Sequence, residues 1–310
     1  MSPASVALPE PAADARETAP AAPRPTRPLY WSVRRELWEN RSVYLAPLAV
    51  VVFMVVALAV HGVAMPSHLP GMLGTDPAQP GSASIMYRML AVLLMATAFV
   101  TGAFYCIEAL HGERRDRSIL FWKSLPVSDR TAVLAKAAVP LVVLPLVTLA
   151  AIVALHLALA LLSTVALVAQ GQGAGPLWRE LHLPGLWRSL LYAVPAAALW
   201  HAPVYAFLLL VSGWAKRAAA LWAVLPLFVA GALEPLTMGS THVASLLRYA
   251  LIGWYRAGFA PWARERVPFH PLSVPAPGSF LAAPGLWIGL ALAALFLAAA
   301  VRLRRQRSPM

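Results

Sequence analysis

The chain has 310 residues, of which 60% are hydrophobic and only 12% charged, with a formal charge of +12. Soluble domains carry about 25% charged residues, so this chain lacks the polar side chains to cover a water-facing surface. The apolar residues fall in long Leu- and Ala-rich runs without period-two alternation, which argues against a transmembrane barrel and for an all-α integral membrane protein. Excess Lys and Arg in such a protein points to basic cytoplasmic loops rather than nucleic-acid binding. Cys106 is the single cysteine. It excludes an intramolecular disulfide and reads as a small apolar residue near the end of a span.

Residues 1–28 are rich in Pro and Ala and poor in large apolar side chains, so they are expected to be disordered. They lack the apolar core of a signal peptide. Residues 29–41 set Tyr30, Trp31, Leu37 and Trp38 among Arg34, Arg35, Glu36 and Arg41, which predicts an interfacial helix on the cytoplasmic face. Six later runs approach or exceed the roughly 20 apolar residues that span a bilayer: about 43–64, 85–107, 137–168, 190–212, 218–233 and 280–301. The third is long enough to require tilt or extension beyond the membrane. In its inner part Pro140 and Pro145 each remove a backbone donor, giving either a moving kink or a fixed bend.

Charge orients these spans. With the N-terminus inside, most of the 25 cations lie on inner segments, including Arg114, Arg115, Arg117, Lys123, Arg130 and Lys136 between spans two and three. Lys216 and Arg217 join spans four and five, and Arg302, Arg304, Arg305 and Arg307 close the chain. The outer segments hold Arg88, Arg179, Arg188, Arg248, Arg256, Arg264 and Arg266. This asymmetry predicts both termini in the cytoplasm. The last outer connection, 235–279, is long. Within it, 243–259 places Leu246, Leu247, Ala250, Leu251 and Trp254 at helical spacing but is interrupted by Arg248 and Arg256. It is expected to lie on the outer leaflet or dip partly into it. Pro261, Pro268, Pro271, Pro275 and Pro277 then impose an irregular return. A seventh crossing would put the cationic tail outside, against the charge count.

The most specific text is the loop 112–136, GERRDRSILFWKSLPVSDRTAVLAK. It combines alternating charge, an apolar centre (Ile119, Leu120, Phe121, Trp122) and a stop at Pro126, with Ser128 as N-cap and Asp129 in the first turn of the next helix. Physically it suits either docking into a groove of a soluble partner or resting on the membrane surface. The run from Glu113 to Lys136 closely resembles the loop between the second and third helices of ABC-2 type transporter permeases. The plan of interfacial helix, six spans and a long outer region before the last span matches over about 29–307. The resemblance implies an ABC-2 (type V exporter-like) architecture in which this loop is a coupling helix docked on a separate ATP-binding subunit. Carried over by position, Glu113, Arg114, Asp116, Arg117, Phe121, Trp122 and Lys123 make or support that contact, while Leu125, Pro126 and Ser128 shape the turn. It further implies a second permease copy, a bacterial cytoplasmic (inner) membrane location, and ATP and Mg on the partner subunit. The N-terminal extension has no part in this pattern.

The chain itself has no G-x-x-x-x-G-K-[ST] run to cradle phosphates, and GQGAGP at 171–176 reads as an outer turn. The eight histidines form no recognisable metal motif, no Gly-x-Ser-x-Gly elbow occurs, and Cys106 has no evident His partner. These features argue against an intramembrane hydrolase, so the chain is not expected to be an enzyme or to bind a cofactor or metal. Three polar groups are costly enough to single out. His156 in span three and His201 in span four either line a pathway or make interhelical hydrogen bonds. Glu234, ahead of Pro235 at the end of span five, either gates release or pairs with an outer Arg. Glu108 is assigned to the coupling region. The expectation is a permease subunit exporting a hydrophobic or amphiphilic substrate. The alternative is a membrane sensor or scaffold that recruits a cytoplasmic partner.

Overall fold

The computed structural model describes residues 27–64, 82–116, 118, 127–259, 272 and 274–306. The calls on the N-terminal extension, on Arg117 and 119–126, and on Pro261, Pro268 and Pro271 lie outside these residues. The described residues form helices joined by short turns, with a lone antiparallel bridge between Phe259 and Pro275. In chain order they are α1 (Pro28–Glu39), α2 (Ser42–Ala64), α3 (Ser82–Ala109), α4 (His111–Arg115) and α5 (Asp129–Ala138). A π turn (Val139–Val143) joins α5 to α6 (Leu144–Ala169). There follow α7 (Gly175–Leu181), α8 (Leu183–Trp214), α9 (Ala219–Met238), α10 (His242–Gly258), α11 (Pro277–Ala282) and α12 (Pro284–Gln306).

Six helical stretches are long and apolar enough to cross a bilayer: Ser42–Val60, Ala83–Arg115, Asp129–Ala169, Gly175–Trp214, Ala219–Met238 and Pro284–Gln306. This is the architecture of an all-α, multi-pass membrane protein. Prolines at Pro28, Pro176, Pro184, Pro277 and Pro284 stand in the first turns of their helices, where a missing N–H costs nothing. Within the third stretch, Pro140 cannot donate to the preceding turn, and the ladder widens there into the π turn. The hydroxyls of Thr148, Ser163 and Thr164 donate back to the carbonyls of Leu144, Leu159 and Ala160, so none demands a partner from an apolar surround.

α8 is the central helix: 67% of its apolar window is buried, against 11% for α2 and α9. It packs against α12, α3, α10 and α6. Small residues Ala193, Ala197, Ala202 and Ala206 are buried along it, letting neighbouring backbones approach closely. α2 packs on α6 and α3, and α9 reaches the bundle chiefly through α10 and α8. Large apolar side chains on their outer faces, such as Phe53 and Phe228, are two-thirds exposed, as a lipid-facing surface requires.

α1 lies across α5. The face it buries is the polar one, with Ser32 and Glu36 inward, while Trp31 and Trp38 are exposed and sandwich Arg34, whose guanidinium stands 5.3 and 5.1 Å from their rings. That combination suits an interfacial helix with its aromatic side toward lipid. The end of the bundle holding α1, α4 and the C-terminus of α12 is called the loop end below.

α10 does not lie across the opposite end. Trp200 Nε1 donates to the Tyr249 carbonyl at 3.1 Å and His201 Nε2 to that of Leu251 at 2.9 Å, about 20 Å up α8 from Trp214 at ~1.5 Å per residue. Segment 243–259 is therefore packed on the middle of α8 through the backbone of Tyr249 and Leu251. Gly253 permits it, because a Cβ there would sit 2.5 Å from Trp200 Cζ2.

Candidate functional site

The loop end is organised by a buried network of charges. Glu36 of α1 is 1% exposed and Lys136 of α5 is 2% exposed. Lys136 Nζ donates to the two Glu36 oxygens at 2.9 and 3.0 Å and lies 3.1 Å from Glu113 Oε1 of α4. The Tyr105 hydroxyl of α3 donates to Glu36 Oε2 at 2.9 Å. From α12, Arg304 donates to Glu113 Oε2 and, through Nε, to Asp129 Oδ1 of α5 at 3.2 Å. Arg35 completes the set, 3.3 Å from Glu113 Oε1. Arg35, Lys136 and Arg304 thus face Glu36, Glu113 and Asp129. Pairing and hydrogen bonding of each charge with an opposite one is the condition under which burying them is tolerable. Burial alone would lower the Arg35 guanidinium, yet Glu36, Glu39 and Glu113 beside it hold it above its ordinary value. At the rim, burial raises the Glu39 carboxyl above the usual range against the pull of Arg35.

A second set of bonds fixes α4 to the end of α8. The backbone N–H groups of Leu110 and His111 both donate to Ser212 Oγ, at 3.0 and 2.9 Å. Arg114 donates to the carbonyls of Gly213 and Ala215 at 2.9 and 3.2 Å, placing a cation on the last carbonyls of a helix, where the dipole favours it. Arg115 is exposed and pairs with Glu108 at 2.9 Å and Asp116 at 3.1 Å.

Of the residues assigned to the loop contact, Glu113 and Arg114 are buried with internal partners, so they hold the stem of the loop rather than offer a surface. Asp116 is exposed. Arg117, Phe121, Trp122, Lys123, Leu125 and Pro126 lie outside the described residues. On the other stem, Ser128 caps α5 as expected, accepting from Thr131 N at 3.1 Å. Sequence reasoning missed the pairing of Glu36, Lys136, Arg304 and Tyr105. Each is unremarkable at a helix end, and partners separated by 100 or 191 positions leave no local pattern. The available signal was opposite charge at matching depth on different spans.

The three polar residues of the spans are well separated in role. His156 is buried and its Nε2 donates to the Tyr87 carbonyl of α3 at 3.0 Å, an interhelical bond. His201 makes the equivalent bond to α10, and its ring also lines a cavity. Glu234 does not end its helix, since α9 runs on through Pro235 to Met238, and of the outer arginines that could pair with it Arg264 and Arg266 lie outside the described residues. Its carboxylate accepts from the N–H groups of His242 and Val243, at 2.6 and 2.7 Å, and from Ser240 Oγ at 2.7 Å. It therefore serves the start of α10, where four N–H groups have no helical acceptor.

Among the described residues no group of three or more His, Cys, Asp or Glu side chains is placed to hold a metal ion. No family model, curated protein or solved structure matches the chain.

Proposed function

We propose that this chain is the membrane-spanning subunit of an ATP-driven ABC-2 type transporter, exporting a hydrophobic or amphiphilic substrate. In this reading the loop end faces the bacterial cytoplasm and both termini are inside. Two copies surround a path, and each docks a separate ATP-binding subunit, which carries ATP and Mg, through the loop 112–136. The observation that supports it is the way both stems of that loop are held. One stem, α4, is fastened to α8 by Arg114 and to α1 and α12 through Glu113. The other, α5, carries Lys136 and Asp129 in the same network and continues through the π turn into α6. A push on the loop is thereby delivered to several spans together instead of being absorbed by a slack connection.

The test is to purify the chain with its partner and replace the apolar and cationic residues of the loop. Trp122→Ala and Arg117→Glu should each uncouple ATP hydrolysis from transport, leaving membrane insertion intact. Full transport by both variants, or co-purification of a stoichiometric regulator in place of an ATP-binding protein, sinks the reading. The second result would favour a sensor or scaffold.

A further inference from the structure

Between α3, the π turn, α8 and α10 lies a cavity of about 330 Å³. Met95 and Phe99 of α3, Pro140 and Leu144 at the π turn, Ala197 of α8 and Trp254 of α10 supply its apolar walls. Thr148 of α6 and, from α8, His201 and Tyr205 supply polar atoms, and among the described residues no charged side chain lines it. Both α8 residues are more than nine-tenths buried, His201 at 7% and Tyr205 at 4% exposed. Because His201 Nε2 donates to the Leu251 carbonyl, the remaining ring nitrogen, Nδ1, is an acceptor. The Tyr205 hydroxyl has no hydrogen-bond partner among the described residues. Thr148 Oγ1 already donates to the Leu144 carbonyl, so the unused polar atoms of this lining are two, on one helix and a turn apart.

We propose that this cavity binds a small neutral amphiphile, an apolar body carrying one hydroxyl or N–H donor that bonds to His201 Nδ1 and the Tyr205 hydroxyl. The volume is at the lower end of small-molecule sites, ~300–1,000 Å³, which suits a single-chain or ring compound and not a two-chain phospholipid. A charged head finds no counter-charge here and is disfavoured by its desolvation. Val100 and Ile252 of the lining are 49% and 46% exposed on the apolar outer face, so the ligand enters from hydrocarbon. One wall is the π turn, a deformation enriched at functional sites. The site rests on the cavity itself and not on the transport reading.

The probes are tritiated 4-nonylphenol and nonylbenzene, which share an apolar body and differ by the donor, applied to the full chain in nanodiscs. Saturable binding of the phenol is expected, about tenfold tighter than the hydrocarbon, the ratio one net hydrogen bond gives. Tyr205→Phe should cut that preference to about threefold or less. Ala96→Trp, at an exposed position of the lining, should abolish saturable binding of both probes without lowering the melting temperature. Equal affinity of wild-type protein for the two probes, uptake that follows bilayer partition only, or unchanged binding in Ala96→Trp overturns the proposal.

Discussion

At the scale of the residue, Lys136 has the most demanding position. Its ammonium is 2% exposed and stands within 3.1 Å of two carboxylates, so removing it leaves both buried carboxylates with one counter-charge fewer. Lys136→Met should destabilise the protein by about 3–5 kcal/mol, the cost of breaking a buried pair, read as an earlier melt in detergent. Adding Glu36→Gln to that variant should recover part of the loss, because the two sites share one interaction and their effects are not additive. Additive losses would show that Lys136 acts through packing alone. Arg114 is a different case, since it donates to the backbone carbonyls of Gly213 and Ala215. Its truncation should loosen the α4–α8 junction while leaving the network intact.

At the scale of the element, α10 is the segment whose place least follows from its own residues. Its apolar positions announce an amphipathic helix, but whether it floats or inserts depends on what meets it. Trp200 and His201 satisfy two of its carbonyls, Glu234 satisfies its first N–H groups, and Gly253 lets it close on Trp200. Gly253→Ala should therefore lift α10 from α8. The change would appear as faster hydrogen exchange in 242–258 and a loss of about 1–3 kcal/mol, the usual cost of overpacking. Unchanged exchange would mean that the helix is held elsewhere. The π turn is the complementary example. Pro140 and Pro145 announce an interruption in the sequence, and the structure shows which form it takes: a single wide turn between α5 and α6.

At the scale of the whole molecule, six crossings bring α1 and the end of α12 to one end of the bundle, where Arg304 bonds to Glu113 and Asp129. The proposed orientation, argued from the cation asymmetry of the sequence, puts that end in the cytoplasm. Because Cys106 is the single cysteine and is buried among apolar residues, Cys106→Ala supplies a background for testing this. In it, Gln172→Cys, in the turn between α6 and α7, should react with an impermeant maleimide on intact cells. Arg217→Cys, between α8 and α9, should react only after the membrane is opened. The reverse pattern would invert the orientation and with it the proposed direction of coupling.

Composition and the spacing of apolar runs were enough to indicate a helical membrane protein with six helices long and apolar enough to cross a bilayer, because lipid demands long apolar helices whatever their neighbours are. They also located the capped start of α5 and the break at Pro140, both set by local backbone chemistry. They could not pair Glu36 with Lys136 or Glu113 with Arg304, reassign Glu234 from a helix end to the start of α10, or gather α3, the π turn, α8 and α10 around a cavity. Those are contacts between residues far apart in the chain. A helix in lipid shows the same Leu and Ala pattern whichever neighbour it packs against, so only the tertiary structure decides which faces meet.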